Sequence, residues 1–314
     1  MIKVIKSFIF FILIFYNQIC LSQDLKILYK INESIITSHD VKKEINYLVS
    51  LNQNLKSLDN KKMFQRALQS LIREKIKKDE INKFYEIDYE NALKSKKLFN
   101  IIENFRLSLG FNTDEEFQNY LYKNNIEIND LKLKFIIEQF WNQLIFEKFS
   151  SQINIDKKKI DKKIEKLIQE NIELKSFDLS EIVFSEKSEE ENSEKLNEIR
   201  ESIKIIGFKD TALIHSISES AKLGGKIGWV NENQISEKIL KELEKINIGE
   251  YTETIVTSGG NIVLMINDIK VVNEKIDKNK ETKKLISSEK NRILNEYSLI
   301  YFKEIENKAY VQKF

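Results

Sequence analysis

Proline is absent from this 314-residue chain, cysteine occurs once, histidine twice and glycine only eight times. Each scarcity excludes something. Without X-Pro bonds, the chain's own folding lacks the slow isomerisation steps that take tens of seconds. One cysteine cannot form an internal disulfide. Two histidines, His39 and His215, stand far apart in sequence, which is a poor basis for a transition-metal site that needs clustered ligands. No metal or cofactor is therefore expected. Charge of one sign is not in excess either, with 51 basic and 49 acidic residues. A balanced chain without a basic tract argues against nucleic acid as a partner.

The N-terminus reads MIKVIKSFIFFILIFYNQICLSQ. Lys3 and Lys6 precede an apolar run from Phe8 to Tyr16, which is short of the ~20 residues that span a bilayer. Cys20 and Ser22 supply small residues for cleavage after Ser22, the layout of a secretory signal peptide. Cleavage would remove the cysteine and two lysines, leaving a thiol-free, charge-balanced body suited to an oxidising compartment. The expectation is a periplasmic location with no stable membrane insertion after signal cleavage. Retention as an anchor stays open.

Periodicity then divides the chain. Residues 26–37 read as two short strands around a turn at Asn32-Glu33. Apolar stripes at helical spacing follow: Val41, Ile45, Leu48 and Val49; Met63, Ala67, Leu68, Leu71, Ile72 and Ile76; Leu98, Ile101, Ile102 and Phe105, stopping at Gly110. Thr113 and Glu116 form a capping box for a short helix. A longer one carries Leu131, Phe135, Ile136, Phe140, Leu144 and Phe149. Stretches 151–173 and 271–284 read as linkers, the first with helical parts. Between them the character changes, because seven of the eight glycines lie from Gly207 to Gly260. Short β-like runs (FDLSEIVF, YTETIVT, NIVLMINDI) alternate there with helices near 189–206, 208–215 and 235–246, a small α+β unit. From about 280 a helix returns with Ile286, Ile293, Tyr297, Ile300 and Ile305, and is expected to pack on the first helices.

The densest glycine cluster is SISESAKLGGKIGWVNENQI, Ser216 to Ile235. It is not a P-loop: around Lys226, Ser220 and Ile227 stand where glycine and Ser or Thr are required. It is not a dinucleotide fingerprint, since Leu223 replaces the first glycine. No nucleophile elbow is present. What remains is a tight turn leading to an indole.

These residues resemble the loop of parvulin-type peptidyl-prolyl isomerases, a His-Ser pair, a variable loop, then Gly-Gly-x-x-Gly and an aromatic. LSEIVFS at 179–185 resembles that family's first strand, and INIGEYTETIVTSGGNIVLMINDI at 246–269 its closing segment. KILYKINESIITSHDVKKEI and NTDEEFQNYLYKNNIEINDLKLKFIIEQFWNQLI resemble the N-terminal domain of SurA-type periplasmic chaperones. The resemblance implies a multidomain chain: signal peptide 1–22, a mainly α N-terminal chaperone domain 23–173, an α+β parvulin-like domain 174–270, and a linker with a C-terminal helix over 271–314. It also implies a folding factor that binds unfolded outer-membrane protein precursors and carries an isomerase domain of reduced activity. An active prolyl isomerase, or a non-catalytic envelope scaffold, is the alternative.

By the same resemblance the catalytic positions are Glu181, His215 and Ser218. Glu181 stands where the family usually has histidine, and Ser218 where it often has cysteine or aspartate. Ile262 replaces a second histidine. Ile235 and Ile239 match the residues that line the proline pocket, so the peptide-binding set is Trp229, Ile235, Ile239 and Ile262. Three readings stay open: His215 as a packed structural residue, Glu181 as its ion-pair partner or as a solvent-facing residue, and Trp229 as a core anchor or a peptide surface.

Overall fold

The computed structural model of the chain describes residues 25–51, 55–56, 59–169, 174–186, 188–272 and 277–314; the signal-peptide reading of residues 1–22 lies outside them. The first element is a hairpin, β1 (Ile27–Ile31) and β2 (Ser34–Thr37), turning through Asn32 at φ 50. Helices follow: α1 (Ser38–Leu51), α2 (Asn60–Ile81), α3 (Tyr89–Leu93), α4 (Lys96–Ser108), α5 (Asp114–Lys123) and α6 (Ile128–Phe149). Their starts are chemically marked. Asp59 accepts a hydrogen bond from the backbone N–H of Lys62 at 2.9 Å at the head of α2. Thr113 and Glu116 form the expected reciprocal capping box on α5, satisfying two backbone donors that the first turn leaves free. Gly110, at φ 87, lets the chain leave α4 in the left-handed region.

The stripes read from the sequence converge on one helical core that includes Met63, Leu71, Leu98, Phe105, Leu131, Ile136 and Leu144. Trp141, fully buried, lies at its centre. Helix α10 (Lys278–Lys308) returns to this core, as its periodicity predicts. Tyr301 stacks on Trp141 at 5.8 Å between ring centroids, Tyr297 stacks on Phe149 at 4.8 Å, and the indole N–H donates to Ser298 at 2.8 Å. Aromatic contacts of this kind add to the large apolar area that each ring removes from water. The last residues form a strand that the sequence reading treated as part of a helical end. β7 (Val311–Lys313) pairs antiparallel with β1, setting Ile31 opposite Val311, so both ends of the described chain join one three-stranded sheet.

Two stretches read as linkers are more ordered than expected. Helix α7 (Lys157–Gln169) occupies most of 151–173, with Ile164 fully buried. The helical spacing of Ile160 and Ile164 is present in KKKIDKKIEKLIQ, but lysines dominate its composition. In 271–284, the final strand runs on to Val272 and α10 starts at Lys278.

A second sheet is antiparallel, in the order β4 (Lys226–Asn231), β3 (Leu174–Phe184), β6 (Gly260–Val272), β5 (Ile255–Thr257). β3 is central and alternates between two cores. Phe177 and Leu179 join Ile235, Leu243, Leu264 and Ile266 on the face covered by α9 (Glu237–Leu243). Ile182 and Phe184 join Ile199, Phe208 and Ala212 on the face covered by α8 (Glu189–His215). α8 is bent at Gly207, which sits at φ 83 and ψ 167, so it is the two helices that the sequence reading separated. The strand β4 was not expected; its residues read as loop because glycine interrupts them.

Candidate functional site

The glycines of the loop have three distinct tasks. Gly224, at φ 69, ends a short 3-10 turn over Glu219–Leu223 in the left-handed region. Gly225 lies so close to β3 that a Cβ there would stand 2.2 Å from the carbonyl oxygen of Glu181. Its own carbonyl accepts from the N–H of Glu181 at 2.8 Å. Gly228, at φ 87, sits at a bulge, where β3 steps from pairing Leu179 with Gly228 to pairing Ser180 with Lys226. The cluster thus fixes a turn against a strand and re-aims the residues around it.

Glu181 projects from β3 on the same face as Leu179. It does not pair with His215. Its carboxylate accepts a hydrogen bond from Ser220 Oγ at 2.8 Å. Ser220 Oγ lies 2.7 Å from Ser218 Oγ, which lies 2.9 Å from Ser216 Oγ, and Ser216 accepts from the N–H of Val183 at 3.0 Å. A relay of three hydroxyls therefore runs from the strand backbone to the carboxyl group. Burial pushes the Glu181 carboxyl above its ordinary range, and the hydroxyls of Ser220 and Ser218 offset part of that shift.

His215, at the end of α8, turns back toward the first half of that helix. Its Nδ1 lies 3.9 Å from Glu198, and the side chain is 7% exposed. Burial, then the charge of Lys195, pushes it down to about 4 against the opposing pull of Glu198. It is a neutral imidazole near pH 7.

Glu181, His215 and Ser218 nonetheless line one cavity of about 1460 Å³ together with Ile227, Ile239, Ile255 and Ile262. Of the remaining sequence candidates, Ile235 is buried in the sheet core. Trp229 is 43% exposed, with Lys270 4.0 Å above its ring; neither of these two lines the cavity. Ile239 and Ile262 contribute to both the core and the cavity wall.

The opposite wall comes from the helical core. Arg66, Ile72 and Arg73 of α2 and Leu299 and Phe302 of α10 face the same space. Direct contacts hold the two walls together. Arg73 Nη1 donates to the carbonyl of Ile217 at 2.8 Å, Ser258 donates to Glu296 at 2.7 Å, and Lys303 donates to the carbonyl of Ser185 at 3.1 Å. Sequence reasoning missed Ser216, Ser220, Glu198 and these arginines. The alternation Ser216-x-Ser218-x-Ser220 was a readable signal for the relay; nothing in the sequence marked Arg66 or Arg73. Among the described residues no cluster of His, Cys, Asp and Glu could hold a metal ion, and no helix is long and apolar enough to cross a membrane.

The order of strands, the turn against β3 and the helices on both faces define a small α+β domain. Residues 145–268 match the model of the Rotamase family, described as a PPIC-type PPIase domain. The chain carries a parvulin-type peptidyl-prolyl isomerase domain. No curated protein matches the sequence significantly. Similar solved structures include the peptidylprolyl isomerase PrsA of Bacillus anthracis, at 18% identity over 76% of this chain and 97% of that one, with a TM-score of 0.32. Another comes from a study of PEB4 and Cj1289, two structurally related SurA-like chaperones of Campylobacter jejuni, at 16% identity over 92% and 98%, with a TM-score of 0.31. These scores are low, so the assignment rests on the family match and the topology.

Proposed function

We propose that this protein is an extracytoplasmic folding factor that holds unfolded polypeptide, with a parvulin unit over 174–270 whose isomerase activity is weak. The observation that carries this reading is the cavity shared by the isomerase face and the helical core. Its volume, about 1460 Å³, exceeds the ~300–1,000 Å³ of a small-molecule pocket, and its isoleucine wall suits the apolar side chains of an extended chain. Precursors of outer-membrane proteins are the proposed clients, and the periplasm, reached through a cleaved signal peptide, the proposed location.

Weak catalysis follows from the polar groups. Rotation about X-Pro crosses ~20 kcal/mol, and an enzyme lowers it by binding the twisted amide better than either planar form. Of the groups in position to do so, Glu181 is engaged by Ser220 and His215 is turned toward Glu198. Ile262 has no polar atom to offer.

Two assays separate the readings. Light scattering should show that near-stoichiometric protein suppresses aggregation of an unfolded outer-membrane β-barrel protein; absence of suppression removes the holding function. NMR exchange on Phe-Pro and Leu-Pro peptides should show little acceleration at micromolar protein. Strong acceleration that His215→Ala or Ser218→Ala abolishes would make prolyl isomerisation the main role instead.

A further inference from the structure

The cavity has a cationic wall that its isomerase face does not explain. Arg66, Arg73 and Lys77 of α2 all line it. Two of them are committed elsewhere. Arg73 donates to Ile217 and lies 5.3 Å over the ring of Phe302, while Lys77 is bound to Glu138 at 2.7 Å.

Arg66 differs. Its Nε is buried and has no hydrogen-bond partner, and an unsatisfied buried donor on a charged group is costly to keep. Burial, then the neighbouring charge of Arg73, pushes its guanidinium down to about 9. Glu44 acts favourably on it, but that carboxylate is already held by Lys134 at 2.6 Å and by Ser70 at 2.6 Å. Two of the three acidic residues on the cavity's α10 wall, Glu296, Glu304 and Glu306, are also engaged: Glu296 with Arg292 and Glu304 with Lys308. A planar guanidinium on the cavity wall, its Nε donor unused, matches a carboxylate in both charge and geometry.

We propose that Arg66 forms a carboxylate subsite of this cavity, so that the protein selects extended polypeptide segments carrying an aspartate or glutamate beside apolar residues. The inference rests on the cavity being a polypeptide site and names which segments it prefers. Charge-assisted hydrogen bonds formed out of bulk water are strong enough for about a tenfold preference.

The test uses the full chain and two fluorescein-labelled peptides with the same Leu-Pro core, one flanked by Asp and Glu, the other by Asn and Gln. Fluorescence anisotropy should give about tenfold tighter binding of the acidic peptide. Arg66→Gln should abolish that preference, bringing the two peptides to equal affinity. Equal binding of the two peptides to the unsubstituted protein would overturn this inference alone, and so would a preference that survives Arg66→Gln. Binding of neither peptide would overturn it together with the reading on which it rests.

Discussion

Replacing Gly225 by alanine tests whether the loop is built by close approach or only by turning. Gly225 has φ +79, and an added Cβ would stand 2.2 Å from the Glu181 carbonyl oxygen and 2.9 Å from Ala212 Cβ. Neither neighbour can swing away: one is backbone of the central strand, the other the base of a helix packed on it. The left-handed conformation alone costs an alanine about 1–2 kcal/mol. Forcing the strand and loop apart adds roughly 1–3 kcal/mol, and endangers the 2.8 Å hydrogen bond from Glu181 N–H to Gly225. The expected loss is thus on the order of 3 kcal/mol. Gly228→Ala is the control, because Gly228 has φ +87 but nothing within 4 Å of its added Cβ, leaving about 1–2 kcal/mol from the backbone. Urea unfolding in a Trp141→Phe background isolates Trp229, the other of the chain's two tryptophans, which lies in β4 itself. Equal losses for Gly225→Ala and Gly228→Ala would refute the close-approach argument.

Two further outcomes are expected. Burial brings His215 down to about 4 in the folded protein from an ordinary value of 6.5, so the unfolded chain binds the extra proton between those values. Stability from this residue is present above pH 6.5 and falls as pH drops toward 4, by on the order of 3 kcal/mol; Lys195, Glu198, Arg66 and Lys62 surround it. The difference in urea stability between the unsubstituted protein and His215→Gln should narrow over that interval, and a constant difference would contradict the assignment. Lys134→Met should destabilise the helical core by about 3–5 kcal/mol, since Glu44, 1% exposed, loses its cation at 2.6 Å. Adding Glu44→Gln should recover part of that loss in the same denaturation assay; no recovery would mean that lost packing, not the stranded charge, is responsible.

What the sequence determined by itself was everything local. The helix start at Thr113, the stop at Gly110 and the alternating strand 177–184 depend on neighbours within a few residues. For that reason they could be read in order, along with the Gly-Gly-x-x-Gly turn and its family resemblance. The strands β4 and β7 were not legible, because each is short, lacks a clean alternation, and exists only where a partner strand supplies its hydrogen bonds. Helix α7 was half hidden for a related reason: its lysine-rich composition concealed Ile164, which tertiary contacts bury.

At the site, the residue types were legible and their pairings were not. Glu181, His215 and Ser218 do line one cavity, but which of them touch is decided by the bend at Gly207 and by Gly225 against β3. Those two backbone features send the imidazole to Glu198 and the carboxyl to Ser220. Arg66 is more than a hundred residues away in sequence from the strand residues Glu181 and Val183 that line the same cavity, on a helix whose pattern speaks only of its apolar side. Sequence fixes what a residue can do within reach of its neighbours along the chain; only the packing of α2 and α10 against the second sheet decided that a cavity exists there and that Arg66 lines it.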